Sequence, residues 1–151
     1  MTRGDTLFLD TNILLTATDN SRYQHKSCHE LFQRARSRGL HLAISNQIVR
    51  EYLVVATRPV SVNGLGLSTK DSLHNIKQFM NNCLIIEETE ITLNLLIEYV
   101  SKYNISGKHI HDINLIAIMA TYNIEILITL NPADFKVFTE FKVSGPDSLI
   151  V

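Results

Sequence analysis

The chain has 151 residues, of which 45% are hydrophobic, and its formal net charge is −1. This length predicts one folded domain over residues 1–151, and the apolar content excludes a disordered chain. The near-neutral charge excludes a broadly basic, non-specific nucleic-acid binder, but a local patch or a bound cation would still allow a nucleic-acid enzyme.

No apolar run approaches the roughly 20 residues needed to span a bilayer, so no membrane association is expected. Residues 1–5 lead directly into an apolar segment and lack the organisation of a signal peptide. The two cysteines, Cys28 and Cys83, are too few for a disulfide framework and are expected to be reduced thiols in or near the core. We therefore expect a cytoplasmic protein.

Strand and helix patterns alternate along the whole chain. In chain order they predict a strand at 7–9, a short helix, a helix at 23–38, a strand at 40–44, a helix at 46–57 capped by Ser45, a loop at 60–68, a helix at 69–81, a strand at 84–86, a helix at 89–103, an apolar helix at 113–120, a strand at 124–130, a helix start at 131–134, a strand at 141–143 and an apolar tail at 148–151. The alternation predicts a single three-layer α/β domain, with a mostly parallel sheet of four to five strands flanked by helices.

Four acidic residues lie where predicted strands end or helices begin. Asp10 directly follows the first strand, Asp112 lies in the first turn of the apolar helix, and Asp134 follows the strand at 124–130. Glu51 reaches the same edge if the helix at 46–57 begins there. Because the ligand crevice of an open parallel sheet lies beyond the carboxyl ends of its strands, we expect these acids to meet there.

Each acid also has a purely structural explanation. Asp10 or Asn12 would cap the helix that follows the first strand, and Asp112 would cap its own helix. Asp134 fits the third position of a helix that begins after Asn131, without any catalytic role. A helical glutamate usually lies on the surface beside a lysine or arginine.

Taken together, the four carboxylates favour a metal site. Carboxylates this close raise one another's pKa, and a divalent cation removes that conflict. Oxygen ligands suit Mg²⁺ or Mn²⁺, which polarises a phosphate oxygen and supplies hydroxide for in-line attack. Asn12, Thr129 or Asn131 would orient the ligands or bound waters.

The histidines give weaker signals. His25 and His29 are four residues apart on one helix, but without a third soft ligand nearby a surface pair is the expected arrangement. His109 and His111 precede the apolar helix and either touch a substrate phosphate or shape the turn. The chain has no glycine-rich nucleotide-binding motif and no serine-hydrolase elbow, so neither class of enzyme is supported.

Four short motifs, in this order, resemble the pattern of PIN-domain ribonucleases, and most of all the VapC-type toxins of bacterial toxin–antitoxin pairs. They are FLDTN at 8–12, ISNQIVRE at 44–51, HD at 111–112 and LITLNPADF at 127–135. The resemblance covers essentially the whole chain. It implies a parallel sheet flanked by helices, a Mg²⁺- or Mn²⁺-dependent endoribonuclease, a homodimer, an RNA substrate and a small antitoxin protein that covers the crevice.

The resemblance also assigns roles to residues of the site. It implies that Asp10, Glu51 and Asp112 are the core acids, places Thr129 at the site and makes Asp134 the fourth acid. Many members of the family carry an aspartate where Asn131 stands in this chain. Whether Asn131 or Asp134 occupies the fourth acidic position is therefore open.

Two other functions compete with a nuclease. The asparagine at position 131 motivates a catalytically weak or inactive PIN-like module that binds RNA or protein without turnover. A phosphatase with Asp10 as its nucleophile is weakly supported, because the residue two positions later is Asn12 rather than a second aspartate.

Overall fold

The computed structural model of the chain describes residues 5–148. Its strands are β1 (Thr6–Leu9), β2 (His41–Ser45), β3 (Leu84–Ile86), β4 (Ile126–Ile128) and β5 (Lys142–Ser144). Its helices are α1 (Thr11–Thr18), α2 (His25–Ser37), α3 (Asn46–Thr57), α4 (Thr69–Asn81), α5 (Glu90–Tyr103) and α6 (His109–Thr121), with short 3-10 helices at Val60–Val62 and Pro132–Phe135. Residues 149–151 of the tail predicted at 148–151 lie outside the described residues.

The five strands form one sheet in the order β3-β2-β1-β4-β5, and every neighbouring pair is parallel. β1 is central, and all four of its residues are buried because helices cover both faces of the sheet. The predicted α/β fold with a parallel sheet flanked by helices is therefore confirmed.

The apolar helix α6 packs against α5 and supplies much of the core. Ile113 and the run Leu115 to Met119 are buried, which is why its apolar residues show no single face in the sequence. On the other side of the sheet, α1 packs on α2 and α3. Within residues 5–148, none of the helices is both long and apolar enough to cross a bilayer.

The structure corrects the ends of some predicted elements. β4 is predicted at 124–130 but spans only Ile126–Ile128, the residues that pair with β5. Ile124 precedes the strand because its N–H bonds the Met119 carbonyl in the turn after α6. The helix predicted from 23 begins at His25, and α6 begins at His109 rather than 113. The last strand, predicted at 141–143, is shifted by one residue to β5.

Two predicted caps are wrong. Ser45 precedes α3, but its hydroxyl makes no capping bond and is buried without a hydrogen-bond partner, because its side chain points into the core. The helix predicted after Asn131 is a single 3-10 turn, and the Asn131 side chain makes no capping bond to it. By contrast, Thr89 caps α5 in a reciprocal pair of bonds with Thr92.

The topology brings several segments to one edge. α1 follows β1, α3 follows β2, and the 3-10 helix at Pro132–Phe135 follows β4, in each case within a few residues. Because these three strands are adjacent and parallel, all of these starts lie at the carboxyl edge of the sheet. The acids predicted from the sequence are carried by these segments and by the start of α6.

Candidate active site

Asp10 lies at the end of the central strand and is the N-cap of α1. Its Oδ1 accepts a hydrogen bond of 2.7 Å from the backbone N–H of Thr11, and its Oδ2 accepts one of 2.8 Å from the hydroxyl of Thr129. The structure thus assigns the capping role to Asp10 rather than to Asn12. Oδ1 caps the helix, whereas Oδ2 bonds Thr129, which follows β4. Helix capping therefore explains only one of the two oxygens of Asp10.

Asn12 and Thr129 join the end of β4 to α1. The Asn12 amide nitrogen lies 3.3 Å from the Thr129 hydroxyl and 3.4 Å from Asp10 Oδ2, while its oxygen accepts a 3.2 Å bond from the N–H of Leu130. The backbone N–H of Asn131 donates to the Thr129 hydroxyl at 3.1 Å. Asn131 therefore contacts this network through its backbone, and its side chain is exposed.

Glu51 points toward the end of β1 from the second turn of α3. Its Oε2 accepts a 2.5 Å bond from the Thr11 hydroxyl, and its Oε1 accepts a 2.7 Å bond from the Gln47 amide. These neutral donors, rather than a surface lysine or arginine, are the partners of the Glu51 carboxylate. Thr11 bonds Asp10 through its backbone and Glu51 through its side chain, so one residue fixes both carboxylates.

Asp112 and Asp134 are held less tightly. Asp112 is half-buried in the first turn of α6, and its Oδ2 lies 3.3 Å from Nδ1 of His109. It does not cap α6, whose N-cap position is Lys108 and carries no side-chain cap. Asp134 is exposed in the 3-10 helix after β4.

The electrostatics of Asp10 reflect its burial. Burial raises the pKa of Asp10 from its ordinary value of 3.8 to about 6, and the negative charges of Asp112 and Glu51 add to the rise. The hydrogen bonds from Thr129 and Thr11 oppose it, because they stabilise the ionised carboxylate. Asp10 is therefore costly to ionise in the metal-free protein.

The pKa of Asp112 is also raised, first by burial and further by the charges of Asp134 and Glu51. The hydrogen bond from His109 lowers it in part. Asp112 is thus near enough to Asp10, Glu51 and Asp134 for their charges to interact with its own.

The chemistry of this donor set fits a hard divalent cation, since it consists of carboxylate oxygens whose mutual repulsion such an ion would relieve. The acidic side chains are farther apart than the ligands of one bound metal ion would be. Among residues 5–148, no group of three histidine, cysteine, aspartate or glutamate side chains is close enough to hold one metal ion. Asp10 and Glu51 are fixed by Thr11, so the adjustable members are Asp112 and Asp134.

Sequence patterns alone assign no role to three residues that bond the acids or their partners: Thr11, Gln47 and Asn114. Gln47 precedes Glu51 by four residues, which places both side chains on one face of α3. Asn114, whose amide bonds that of Gln47, is the one polar residue in the run 113–120, a pattern that would have indicated a hydrogen-bonding partner.

The His25 and His29 rings stack with centroids 5.6 Å apart, and Nδ1 of His25 bonds the Thr16 carbonyl. In the part of the chain that the structure describes, no further histidine, cysteine or acid joins them as a metal ligand.

A family model for the PIN domain matches residues 7–139, and the chain belongs to the PIN-domain family. The resemblance seen in the sequence is thereby confirmed at the level of the family. No curated protein matches the chain.

Solved structures of toxin–antitoxin proteins share the fold. VapBC2 from Rickettsia felis, bound to a DNA fragment from its promoter, has a TM-score of 0.67 and 17% identity, over 93% of this chain and 98% of that chain. A toxin–antitoxin complex from Klebsiella pneumoniae has a TM-score of 0.65 and 19% identity, over 93% and 97%. VapC20 from Mycobacterium tuberculosis, a sarcin–ricin loop cleaving toxin, has a TM-score of 0.61 and 12% identity, over 80% and 86%. At these identities the likeness is one of fold.

The raised pKa of Asp10 predicts how stability depends on pH in the metal-free protein. The folded chain holds the Asp10 proton more tightly than the unfolded chain does, so the contribution of Asp10 to the free energy of unfolding is complete below pH 3.8 and is lost as the pH rises through about 6. Asp10→Asn should remove this loss, which amounts to up to about 3 kcal/mol.

Urea unfolding in chelator between pH 4 and pH 7 checks this. Asp71→Asn, the same change at an exposed aspartate in the first turn of α4, is the matched control and should retain the wild-type pH profile. Parallel profiles for wild type and Asp10→Asn would contradict the expectation.

Proposed function

We propose that this protein is a Mg²⁺- or Mn²⁺-dependent endoribonuclease and the toxin of a type II toxin–antitoxin pair. The observation that supports the proposal is that Asp10, Glu51, Asp112 and Asp134 lie on segments that come together at the carboxyl edge of a PIN-domain sheet, where burial and neighbouring charges raise the pKa of Asp10 and Asp112. A partly buried carboxylate placed beside other acids costs stability, so its presence favours a function that needs it.

In this proposal Asp10, Glu51 and Asp112 hold the cation, and Asp134 is the fourth acid of the site. When bound, the cation supplies a Lewis acid for the scissile phosphate and lowers the pKa of an attacking water. Thr11 and Thr129 hold the Asp10 carboxylate in one orientation before any ligand arrives, which reduces the cost of ordering it. Each oxygen of Glu51 accepts one hydrogen bond and keeps a second lone pair for a ligand.

Asp134, rather than Asn131, is the better candidate for the fourth position. The charge of Asp134 acts on Asp112, whereas Asn131 contacts the network through its backbone N–H and has a neutral side chain. Asp134 lies in an exposed 3-10 turn, so its carboxylate is free to approach a ligand at the edge.

We further propose that the protein is a homodimer that binds a small antitoxin and acts on RNA in the cytoplasm. Leu93 and Ile97, four residues apart on one face of α5, are 55% and 62% exposed, an apolar surface that supports burial against a second copy. The Rickettsia felis and Klebsiella pneumoniae structures are complexes of toxins with antitoxins, which supports a partner of the same kind here.

RNA cleavage by protein stripped of metal and supplied with Mn²⁺ tests the proposed activity. Cleavage should stop on addition of chelator, and Asp10→Asn should lower the rate by at least about 100-fold, because it removes a charged ligand. Asp71→Asn should cleave like the wild type. Cleavage that persists in chelator or in Asp10→Asn would contradict the proposal, and tight RNA or protein binding without Mn²⁺ binding would favour the binding module.

Swapping the acid between positions 134 and 131 tests the fourth position. Asp134→Asn should lower the cleavage rate by about 10-fold, since a charge is lost from a ligand network. Adding Asn131→Asp to that variant should recover part of the rate, because it returns a carboxylate three residues away. An unchanged rate in Asp134→Asn would remove Asp134 from the site.

A further inference from the structure

The side chain of Gln47 lies buried between the two helices that carry Glu51 and Asp112. Its amide nitrogen donates to Glu51 Oε1 at 2.7 Å and to the backbone carbonyl of His111 at 3.1 Å. Its amide oxygen accepts a 2.6 Å bond from the amide nitrogen of Asn114. Both donated hydrogens and the acceptor of the amide are therefore used.

Asn114 fixes the orientation of the Gln47 amide. If that amide were reversed, its oxygen would face the Glu51 carboxylate and the His111 carbonyl, which are both acceptors, and its nitrogen would face the Asn114 donor. Asn114 is in turn anchored by Glu88, whose carboxylate accepts its other hydrogen. Only one orientation of the Gln47 and Asn114 amides forms all of these hydrogen bonds, so the Gln47 donors point at Glu51 and at α6.

The two acceptors of Gln47 each belong to an acid-bearing segment. Glu51 lies on α3 one turn after Gln47, and His111 directly precedes Asp112 in α6. Glu51 is held on its other oxygen by the hydroxyl of Thr11, which also holds Asp10 through its backbone N–H. The Gln47 amide thus positions Glu51 directly, and it positions Asp112 through the backbone carbonyl of the preceding residue, His111.

We infer that Gln47, oriented by Asn114, is a positioning residue that fixes the Glu51 carboxylate and the first turn of α6 for cation binding. The inference rests on the proposed function. A donor beside a carboxylate limits its rotation, and residues that orient a ligand in this way commonly contribute 10- to 100-fold to metal affinity or activity.

Calorimetric titration of the metal-free protein with Mn²⁺, alongside steady-state RNA cleavage, tests the inference. Gln47→Met keeps the length of the side chain and removes its hydrogen bonds. We expect Mn²⁺ affinity and kcat to fall by about 10- to 100-fold while the KM for RNA stays near its wild-type value, since the substrate contacts are left in place. Gln33→Met, on the exposed face of α2, is the matched control and should bind Mn²⁺ like the wild type.

Asn114→Ala provides a second variant that keeps Gln47 but frees its orientation. It should weaken Mn²⁺ binding in the same direction, and the double variant should lose no more affinity than Gln47→Met alone, because the two residues act through one contact to Glu51. Full additivity would indicate separate, merely structural effects and would overturn the inference.

The outcomes separate this inference from the proposed function. Wild-type Mn²⁺ affinity and kcat in folded Gln47→Met would overturn the inference and leave the nuclease proposal standing; if Gln47→Met does not fold, wild-type affinity in Asn114→Ala has the same meaning. A wild-type protein that neither binds Mn²⁺ nor cleaves RNA would overturn the nuclease proposal, and the inference with it.

Discussion

The burial of the Asp10 carboxylate beside other acids, at the end of β1, is the constraint on which the site depends. Asp10 is fixed there by Thr11 and Thr129, and Thr11 also bonds Glu51, so the two acids cannot move apart without breaking hydrogen bonds to well-packed segments. The cost appears as the pKa of Asp10, raised by burial to about 6. A fold that keeps such an arrangement without a bound counter-ion gives up stability at neutral pH, which is the expected trade-off at a functional site.

The local hydrogen bonds divide the acids into two fixed and two adjustable members. Thr11 holds Asp10 by its backbone N–H and Glu51 by its hydroxyl. By contrast, Asp112 has one bond to a half-exposed histidine, and Asp134 lies in an exposed turn. This division explains why the edge has several acids although no three histidine, cysteine or acidic side chains, among the described residues, are close enough to bind one metal ion. In the proposed nuclease, the fixed pair would define the location of the cation and the adjustable pair would complete its coordination.

Most of the fold and the location of the acids could be predicted from the sequence, because apolar periodicity fixes strands and helices, and parallel strands bring their ends together. α3, α4 and β3 have the predicted limits, and Asp10 and Glu51 lie at the predicted edge. The Ser45 cap, the length of β4 and the Gln47 amide chain could not be predicted in this way. They depend on which way a buried side chain turns and on partners as distant in sequence as Asn114, neither of which a local pattern encodes.

The most direct test of the account is a crystal structure of the protein grown with Mn²⁺ and measured at the manganese absorption edge. We predict an anomalous peak at the carboxyl edge of β1, about 2.2 Å from carboxylate oxygens of Asp10 and of Asp112 or Glu51. In that structure Asp112 should have turned from His109 toward the ion. An ordered site with Mn²⁺ in the crystal but no peak at this edge would contradict the claim that these acids are gathered to hold a divalent cation.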